Sequence, residues 1–419
     1  MTEHTTSGQP GLLAQILDYT NRANPYPLYA QLRTTPVFRA PNGAYVVSTY
    51  REIWDLMHDP RIGVGGFGAG AGGGAGAGAG GGAGAAAGGG AGAGAGGGAG
   101  GGAGGGSFIG MDPPTHDRLR RLATSHFEQT EAVRPDMVRT ATDLIDRMRG
   151  KHQIDLVDEF AYPMPVTVIC GQLGVPHEDE PRFHPWAEAI ITQLDPRPGL
   201  QDAAAQASAE LNRYMAELVE RFRTEPGTGL LSGLAAEEGL STQDVVATGR
   251  LLLIAGHETT VNLIANGMLT LLRHPDVLQR LRHEPELVIP LVEELLRYEP
   301  PVQINPKYMA LDDVEVGAVT IPKGARIILA LAAANRDPDR FPDPDRFDPE
   351  REDNEHLGFF TGIHYCFGAG LARQEAQVAL IELTRRLQNP RLLQDPPPYR
   401  QNPTLRGPRH LSIEIDGIR

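Results

Sequence analysis

The stretch that decides the fold is GFFTGIHYCFGAGLARQEAQVALIEL, residues 358–383, in which one cysteine lies in a glycine-rich loop. Cys366 follows Gly362 and precedes Gly368 and Gly370. Glycines let the backbone turn tightly around the sulfur and let a flat ligand approach closely. The spacing of Ala, Leu and Val after the loop predicts a helix, whose N-terminal dipole and free N–H groups are expected to lower the pKa of the Cys366 thiol. We therefore expect a thiolate with a chemical role here.

Four interpretations of Cys366 can be compared from the residues alone. A small buried hydrophobic side chain is the usual role of a lone cysteine, and it suits Cys170 in VTVICGQLGV. A nucleophile paired with His364 is less favoured, because residues two apart on a loop do not readily form a thiolate–imidazole pair and no third ordering group is evident. Zinc or iron–sulfur sites need more than the 2 cysteines present. A single cysteine as the one protein ligand of a haem fits best.

The pattern FxxGxHxCxG, formed by Phe359, Gly362, His364, Cys366 and Gly368, resembles the haem-binding loop of the cytochrome P450 superfamily in its soluble bacterial, actinobacterial-type form. The resemblance implies haem b as cofactor, with Cys366 as the axial ligand of the iron. It also implies that Phe359, His364 and Gly368 contact the cofactor.

The same resemblance implies a mainly α fold with a minor β part, forming one domain over residues 1–419. The haem would lie between a long central helix and the cysteine loop. The similarity extends from NPYPLYAQLR, residues 24–33, to LRGPRHLSIEI, residues 405–415.

The longest uninterrupted helical pattern runs from about residue 242 to residue 274, and its middle is apolar on nearly every face. Such a helix is typical of the interior of a large protein. It contains LIAGHETT, residues 253–260, where a carboxylate and hydroxyls interrupt the apolar pattern at a cost unless they are hydrogen-bonded.

Two interpretations of LIAGHETT remain open. In the first, Gly256 permits a close helix–helix contact and Thr259 bonds back to a carbonyl of its own helix. In the second, which the resemblance implies, Gly256 opens a groove for dioxygen, and Glu258 and Thr259 form a catalytic acid–alcohol pair that delivers protons to the reacting oxygen.

The segment EELLR places Glu294 and Arg297 three residues apart on a helix, a spacing that by itself usually gives a weak surface ion pair. The segment FPDPDRFDPER, residues 341–351, follows in the order expected for the family. The resemblance therefore implies a buried triad of Glu294, Arg297 and Arg346 that supports the proximal side of the haem.

The segment MDPPTHDRLRR, residues 111–121, places His116 and Arg120 four apart on one helical face, which suits them to grip a carboxylate. A solvated basic face is the alternative. The resemblance assigns both residues to the haem propionates, together with His364. Lys307 occupies the position of a further family arginine, although lysine lacks the planar fork of arginine.

The substrate is not readable from the sequence. By resemblance, the substrate pocket is lined by Ala255, Gln303, Ile304, Asn305 and Leu405. A small hydrophobic compound or natural product is expected.

Residues 68–106 consist only of glycine and alanine, in place of the lid that the family carries between its second and third helices. Such side chains cannot hold a substrate specifically. The tract is either a low-complexity insertion or a stand-in for other residues, and the absence of Ser, Thr, Pro and charge favours the second explanation.

Composition restricts the classes of binding partner that we expect. The net charge of −14 argues against nucleic acid and anionic membrane surfaces. The N-terminus shows no signal peptide and no apolar stretch approaches the length of a membrane anchor, so with few cysteines we expect a cytoplasmic protein.

The predicted function is a haem-thiolate monooxygenase that inserts one oxygen atom from O2 into a C–H bond or an alkene. Electrons are expected from a separate ferredoxin or flavodoxin with its reductase, and the enzyme is expected to be a monomer. The alternatives are a peroxide-driven peroxygenase, an isomerase, and a catalytically impaired haem-binding protein.

Local patterns also predict individual elements. An Asn42-Gly43 turn between Val37–Arg39 and Tyr45–Val47 predicts a type I′ hairpin with positive φ at both central residues. Helical spacing occurs at residues 117–127, 131–149 and 203–223, and strand-like stretches at 314–319, 326–331 and 411–415.

Overall fold

The structure, a computed structural model, describes residues 11–64, 107–127, 130–191 and 201–419. Helices make up most of these residues, which confirms the predicted mainly α class. The helices are α1 (Leu12–Leu17), α2 (Tyr26–Arg33), α3 (Tyr50–Met57), α4 (Thr115–His126), α5 (Thr130–Arg147), α6 (Pro163–Leu173), α7 (Phe183–Ile191), α8 (Gln201–Thr224), α9 (Leu230–Ala236), α10 (Thr242–Arg273), α11 (Pro275–His283), α12 (Val288–Tyr298), α13 (Leu331–Ala334) and α14 (Ala369–Arg386).

The β part is small and lies largely beside the helical core. The strands are β1 (Val37–Arg39), β2 (Tyr45–Val47), β3 (Ile62–Gly63), β4 (Gln153–Asp155), β5 (Asn305–Ala310), β6 (Val314–Val316), β7 (Val319–Ile321), β8 (Arg326–Leu329), β9 (Leu387–Gln388), β10 (Arg391–Leu392), β11 (Ser412–Glu414) and β12 (Gly417–Ile418). The largest sheet has the order β1-β2-β8-β5-β3, in which β2 and β8 run parallel and the other pairs are antiparallel. The minor β part is therefore as predicted.

Helix α10 is the long central helix that the sequence predicts. It begins with a capping box, in which the Asp244 amide donates to Ser241 Oγ at 3.1 Å and the Ser241 amide donates to Asp244 Oδ2 at 3.2 Å. It ends before Pro275, which starts α11 because proline cannot continue the preceding helical hydrogen bonds. Most side chains in its second half are buried.

Close packing brings the helix after the cysteine loop against α10. A Cβ on Gly267 of α10 would lie 3.1 Å from Leu295 Cδ1 of α12 and 3.2 Å from Leu380 Cδ2 of α14. Both leucines belong to one hydrophobic region of the core, where each fully buried leucine contributes about 1.5–3 kcal/mol. The cysteine loop is thereby fixed relative to α10, because it leads directly into α14.

Three local predictions need correction. The stretch 314–319 is two strands of a hairpin, because Gly317 turns the chain with φ +59. The strand predicted over 326–331 ends at Leu329, and α13 starts at Leu331. The first hairpin is present, but only Gly43 has positive φ, so its turn is not type I′.

The glycine/alanine tract, residues 68–106, lies outside the described residues. The described helices that flank it are α3 and α4, rather than a second and third helix, because the short α1 precedes them. Its replacement of a lid and the single-domain organisation stay predictions.

Candidate active site at the cysteine loop and the central helix

The backbone of the cysteine loop requires glycine at one position. Gly362 has φ +68, and a Cβ there would lie 2.3 Å from the carbonyl oxygen of Met57 in α3. No larger residue fits without moving one of the two backbones. Past this turn, the Cys366 amide donates to the Phe359 carbonyl at 2.9 Å, and α14 begins at Ala369. The loop therefore presents Cys366 immediately before the N-terminus of α14, as the sequence indicates.

The electrostatics of Cys366 differ from the expectation. Burial raises the pKa of the thiol, and this effect outweighs the lowering by the Gly368 backbone amide, Arg120 and Arg373. The groups that were predicted to lower the pKa of the Cys366 thiol are present. The net shift of this pKa is nevertheless upward when only protein groups act on it, so the predicted direction is wrong. A coordinating metal deprotonates a thiol outright, so a bound metal would supply the thiolate character that the protein groups alone do not give Cys366.

An ion pair between Arg373 and Glu293, called the Arg373–Glu293 clamp below, holds the start of the loop near Phe359. The sequence analysis missed it. Arg373 of α14 donates from Nε to Glu293 Oε1 at 2.7 Å and from Nη2 to Glu293 Oε2 at 2.9 Å. Its guanidinium carbon lies 4.6 Å from the ring centroid of Phe359. Burial alone would raise the pKa of Glu293, but hydrogen bonds from His356 and Arg373 lower it to about 2. Phe359 is therefore fixed by packing and by this ion pair.

Four predicted propionate residues converge next to the loop. The rings of His116 and His364 have their centroids 4.7 Å apart. The pKa of His364 falls to about 4, because burial and the neighbouring charges of His116, Arg120 and Lys307 outweigh Asp112. Burial also lowers the pKa of Lys307. Arg120 Nη2 donates to the Tyr365 carbonyl at 2.6 Å. The structure thus brings together basic groups from three separate segments.

These basic groups fit a ligand that carries carboxylates. His116 Nε2 and His364 Nε2 are both buried and have no hydrogen-bond partner among the described residues. Buried ring nitrogens normally have partners, and carboxylate oxygens beside two imidazoles, a guanidinium and an ammonium would satisfy them. The Cys366 thiol lies just before α14, and the glycines of the loop let a flat ligand approach it. The residues present therefore fit a haem.

On α10, the structure displays the features of the first interpretation of LIAGHETT. A Cβ on Gly256 would lie 2.9 Å from Ile169 Cδ1 of α6, so Gly256 permits a close contact between the two helices. Thr259 Oγ1 donates to the Ala255 carbonyl at 2.8 Å. These contacts fit the first interpretation, and the groove for dioxygen at Gly256 stays a prediction. Ala255 is exposed and Thr259 half-buried, so both remain accessible on a mostly buried helix.

Glu258 lies on another face of α10 and is buried. Its Oε1 is 3.5 Å from His257 Nε2 and its Oε2 is 3.6 Å from Arg400 Nη1. His257 is held in turn by the Leu253 carbonyl, 2.7 Å from its Nδ1. Arg400 is a contact that no local sequence signal identifies, because it lies far along the chain.

Of the three predicted triad members, the structure brings two together. Glu294 and Arg297 are fully buried and form a bidentate pair with both N–O distances at 2.7 Å. Arg346 is wrong: its side chain is 62% exposed and pairs with Asp343 and Asp348. Only its backbone carbonyl contacts Arg297.

The third member of this network is Arg351. Its Nε lies 3.4 Å from Glu294 Oε2, and its side chain is buried. The Asp348 amide and Asn354 Nδ2 also donate to the Glu294 carboxylate. The segment RFDPER, residues 346–351, carries both Arg346 and Arg351, and no spacing within it distinguishes the two, which explains the error.

The predicted substrate residues do not all lie on an accessible surface. Gln303 is fully buried, and its Nε2 donates to the Pro300 carbonyl at 2.6 Å. Ile304 is also buried and packs in a hydrophobic cluster with Tyr29 and Val46, and its pocket position stays a prediction. Asn305 and Leu405 are half-buried, and Ala255 is exposed.

Taken together, the helical fold, the single cysteine at the start of α14 and the basic cluster define a haem-thiolate class of protein. The chain matches the Cytochrome P450 family over residues 101–413. It therefore belongs to the cytochrome P450 family, which confirms the resemblance, and its enzymatic class is that of the P450 monooxygenases.

Individual relatives agree with this family. The chain is 38% identical to Cytochrome P450 107B1 of Saccharopolyspora erythraea over 94% of each chain. It is 42% identical to Vitamin D(3) 25-hydroxylase of Pseudonocardia autotrophica over 85% of each chain. The ligand-free crystal structure of CYP164A2 from Mycobacterium smegmatis superposes with a TM-score of 0.83 at 36% identity, covering 96% of this chain and 99% of that one.

Among the described residues, no helix combines the length and apolarity that crossing a bilayer requires.

Proposed function

We propose that this P450 monooxygenase binds haem b through Cys366 and oxidises a small hydrophobic or natural-product substrate. The observation that carries the proposal is the combination of a lone thiol at the start of α14 with the unpartnered nitrogens of His116 and His364 beside it. A haem held by a thiolate supplies oxygen activation and insertion of one oxygen atom into an unactivated bond.

The basic cluster has the task of orienting the cofactor. His116, Arg120 and His364 would bind the propionates, with Lys307 as an additional point charge. Desolvation lowers the pKa of both Arg120 and Lys307, so negative partners at this position stabilise their charged forms. Phe359 and Gly368 would lie against the thiolate side, where the Arg373–Glu293 clamp keeps the loop in shape.

The residues of α10 have the task of handling protons. Thr259 would donate a hydrogen bond from its hydroxyl toward the reacting oxygen after giving up its bond to the Ala255 carbonyl. Glu258 would hold the proton that replaces the one Thr259 donates. Ala255, Asn305 and Leu405 are the predicted substrate residues with accessible surface, and they would contact the substrate.

Electrons would come from a ferredoxin or flavodoxin with its own reductase. On the cysteine loop, Ile363 and Tyr365 are 46% and 40% exposed. Arg118 and Arg121 are exposed on α4, which reaches the same loop through Arg120. An apolar centre with basic neighbours suits a small acidic electron carrier. A monomeric state and a cytoplasmic location remain predictions from the sequence.

The proton roles are tested by the ratio of product formed to NAD(P)H consumed, with redox partners supplied. Thr259→Ala should keep substrate binding and electron uptake but release more hydrogen peroxide, because the proton-donating hydroxyl is lost. Thr260→Ala is the matched control, since Thr260 is the next threonine on α10 and bonds to the Gly256 carbonyl. Unchanged coupling in Thr259→Ala would remove Thr259 from the mechanism.

A peroxide-driven peroxygenase is the second candidate. The observation that favours it is the Thr259 hydroxyl bonded to its own helix at 2.8 Å, because a peroxygenase does not need that hydroxyl for proton delivery. Product formation with hydrogen peroxide that exceeds the rate with redox partners would select this alternative.

A further inference from the structure

A cavity of about 420 Å³ is lined by residues that the proposed function does not use. Its walls come from segments that are distant in sequence: the start of α2 and the turn before it, the C-terminal ends of α10 and α12, the chain just after α13, and Pro396. The volume falls in the range of small-molecule sites, roughly 300–1,000 Å³. The cavity is therefore a candidate binding site separate from the one at Cys366.

A buried arginine, Arg336, contributes to the wall of this cavity. Its guanidinium carbon lies 3.3 Å from the ring centroid of Tyr26 and 4.0 Å from that of Tyr298, so two rings of the lining enclose it. Its Nη1 donates to Asp345 Oδ1 at 2.9 Å and its Nη2 to the Tyr298 carbonyl at 2.7 Å. Its Nε has no hydrogen-bond partner among the described residues. Buried donors normally have partners, so the hydrogen bonds of this cation are incomplete.

Glu299 supplies the cavity with a carboxylate, but that carboxylate is shared. Its Oε1 lies 3.9 Å from Arg336 Nη2, beyond hydrogen-bond distance. Its Oε2 accepts from the Tyr26 hydroxyl at 3.0 Å and from Arg406, which is buried. Two buried guanidinium groups thus share one buried carboxylate, which leaves an excess positive charge on the inner side of the cavity. Asp345, the other carboxylate on Arg336, is 67% exposed, so water screens its charge.

Arg273, the last residue of α10, adds a second cation to the lining. Its side chain is 32% exposed and pairs with Asp395, which is 45% exposed. Ion pairs in contact with water contribute little free energy, so a carboxylate that enters the cavity can replace Asp395 on Arg273 at small cost. The uncharged side chains of Ala23 and Pro396 line the same cavity and are at least partly exposed. The lining therefore combines two cations with apolar surface.

We propose that this cavity binds a small organic carboxylate. The carboxylate lies between Arg273 and Arg336, and the apolar body of the ligand packs against Ala23, Tyr298 and Pro396. Guanidinium groups bind carboxylates through paired, charge-assisted hydrogen bonds, for which their planar fork is suited. A cationic ligand would instead meet two arginines, offset only by a carboxylate that is already shared. Binding at this site does not depend on the haem or on the proposed function.

Recognition of the carboxylate is tested by fluorine NMR titration of the haem-loaded enzyme with 4-fluorobenzoate and with 4-fluorobenzamide, a neutral amide of nearly the same shape. Saturating imidazole occupies the iron beforehand, and an unchanged Soret band during the titration shows that the probe does not displace it. The carboxylate should bind more tightly than the amide by about tenfold or more, because only the carboxylate pairs with the arginines. Equal dissociation constants for the two probes would overturn the proposal.

Two variants that break the same ion pair should shift the dissociation constant of 4-fluorobenzoate in opposite directions. Arg273→Gln should raise it severalfold, because a cation of the site is lost. Asp395→Asn should lower it, because the carboxylate that competes for Arg273 is removed. A merely structural role of the pair would change both variants in the same direction. Arg149→Gln is the control, since it removes an exposed arginine paired with Asp146 elsewhere on the surface. Shifts of the same sign in the two variants, or none, would overturn the site.

The place of binding is tested by filling the cavity without changing its charge. Ala23→Phe should abolish binding of 4-fluorobenzoate, while the carbonyl of residue 23 still accepts from Arg406 Nη2, as it does at 2.9 Å in the wild type. Ala30→Phe is the matched control, since Ala30 is exposed on α2. Unfolding midpoints are compared first, and if Ala23→Phe does not fold, the opposite shifts at Arg273 and Asp395 decide. Binding that persists in both Ala23→Phe and Arg273→Gln would be adventitious association with the surface and would overturn the site.

Discussion

The rings of His116 and His364 make an edge-to-face contact with centroids 4.7 Å apart, and the Nε2 atom of each is buried without a partner among the described residues. One ring comes from the start of α4 and the other from the cysteine loop. The two rings lie beside the cations Arg120 and Lys307. Anionic oxygen atoms bound at this site would supply the hydrogen-bond acceptors that the ring nitrogens lack.

His116→Phe should therefore weaken haem retention. Phenylalanine preserves the ring contact with His364 but removes one charge-assisted hydrogen bond, worth about 1.5–3 kcal/mol, so haem loss should accelerate by roughly tenfold or more. The measurement is the rate of haem transfer to an excess of apomyoglobin. His177→Phe, a change at an exposed histidine, should transfer haem at the wild-type rate. Equal rates for His116→Phe and wild type would argue against a propionate contact.

Substitutions at Arg351 and Arg346 form a matched test of the buried network around Glu294. Arg351→Gln should lower the free energy of unfolding by about 1–3 kcal/mol, because it leaves the buried carboxylate with one cation fewer. Arg346→Gln should change it by no more than about 0.5 kcal/mol, since that side chain lies at the surface. Denaturant unfolding of the two variants provides the test, and a larger effect at Arg346 would contradict the assignment.

Gly362 is the glycine whose replacement should damage the cysteine loop. Gly362→Ala places a Cβ against the Met57 carbonyl at a positive φ, and we expect a loss of about 1–3 kcal/mol in unfolding free energy together with reduced haem content. Gly171→Ala is the control, because a Cβ there would meet nothing within 4 Å and alanine favours the helix. Haem content and chemical unfolding are measured together, and a neutral Gly362→Ala would show that the loop is not constrained in this way.

The ion pair of Glu293 with Arg373 predicts a loss of stability in acid. The pKa of Glu293 is about 2 in the folded protein against an ordinary value of 4.5. The folded carboxylate therefore binds fewer protons than the unfolded one between these values, so its contribution is complete above pH 4.5 and is lost as the pH falls toward 2. Glu293→Gln should flatten this part of the stability–pH curve by up to about 3 kcal/mol. A curve as steep as that of the wild type would contradict the pair.

Local sequence signals were sufficient for the elements that one stretch of chain determines. The apolar periodicity of α10 and the glycine spacing around Cys366 reflect interactions within a few residues, and both features are present in the structure. The pair of Glu294 and Arg297 is also determined locally, because a separation of three residues on one helix sets its geometry.

Contacts between distant segments were not readable in the same way. Arg400 reaches Glu258 only because the C-terminal hairpin, residues 399–408, packs on α10, and Arg351 reaches Glu294 through an irregular loop that has no periodicity. The direction of the Cys366 pKa shift was missed for a related reason. The helix dipole is a local signal, whereas burial depends on the whole fold.

The central claim is that the sulfur of Cys366 binds the haem iron, and the carbon monoxide difference spectrum of the reduced protein tests it most directly. The wild type and Cys170→Ser should both display the band typical of thiolate-ligated ferrous haem, because Cys170 is a buried core residue whose thiol pKa burial raises. Cys366→Ser should lack that band. Retention of the thiolate band in Cys366→Ser, or wild-type protein without Soret absorption after haemin is supplied, would contradict the account.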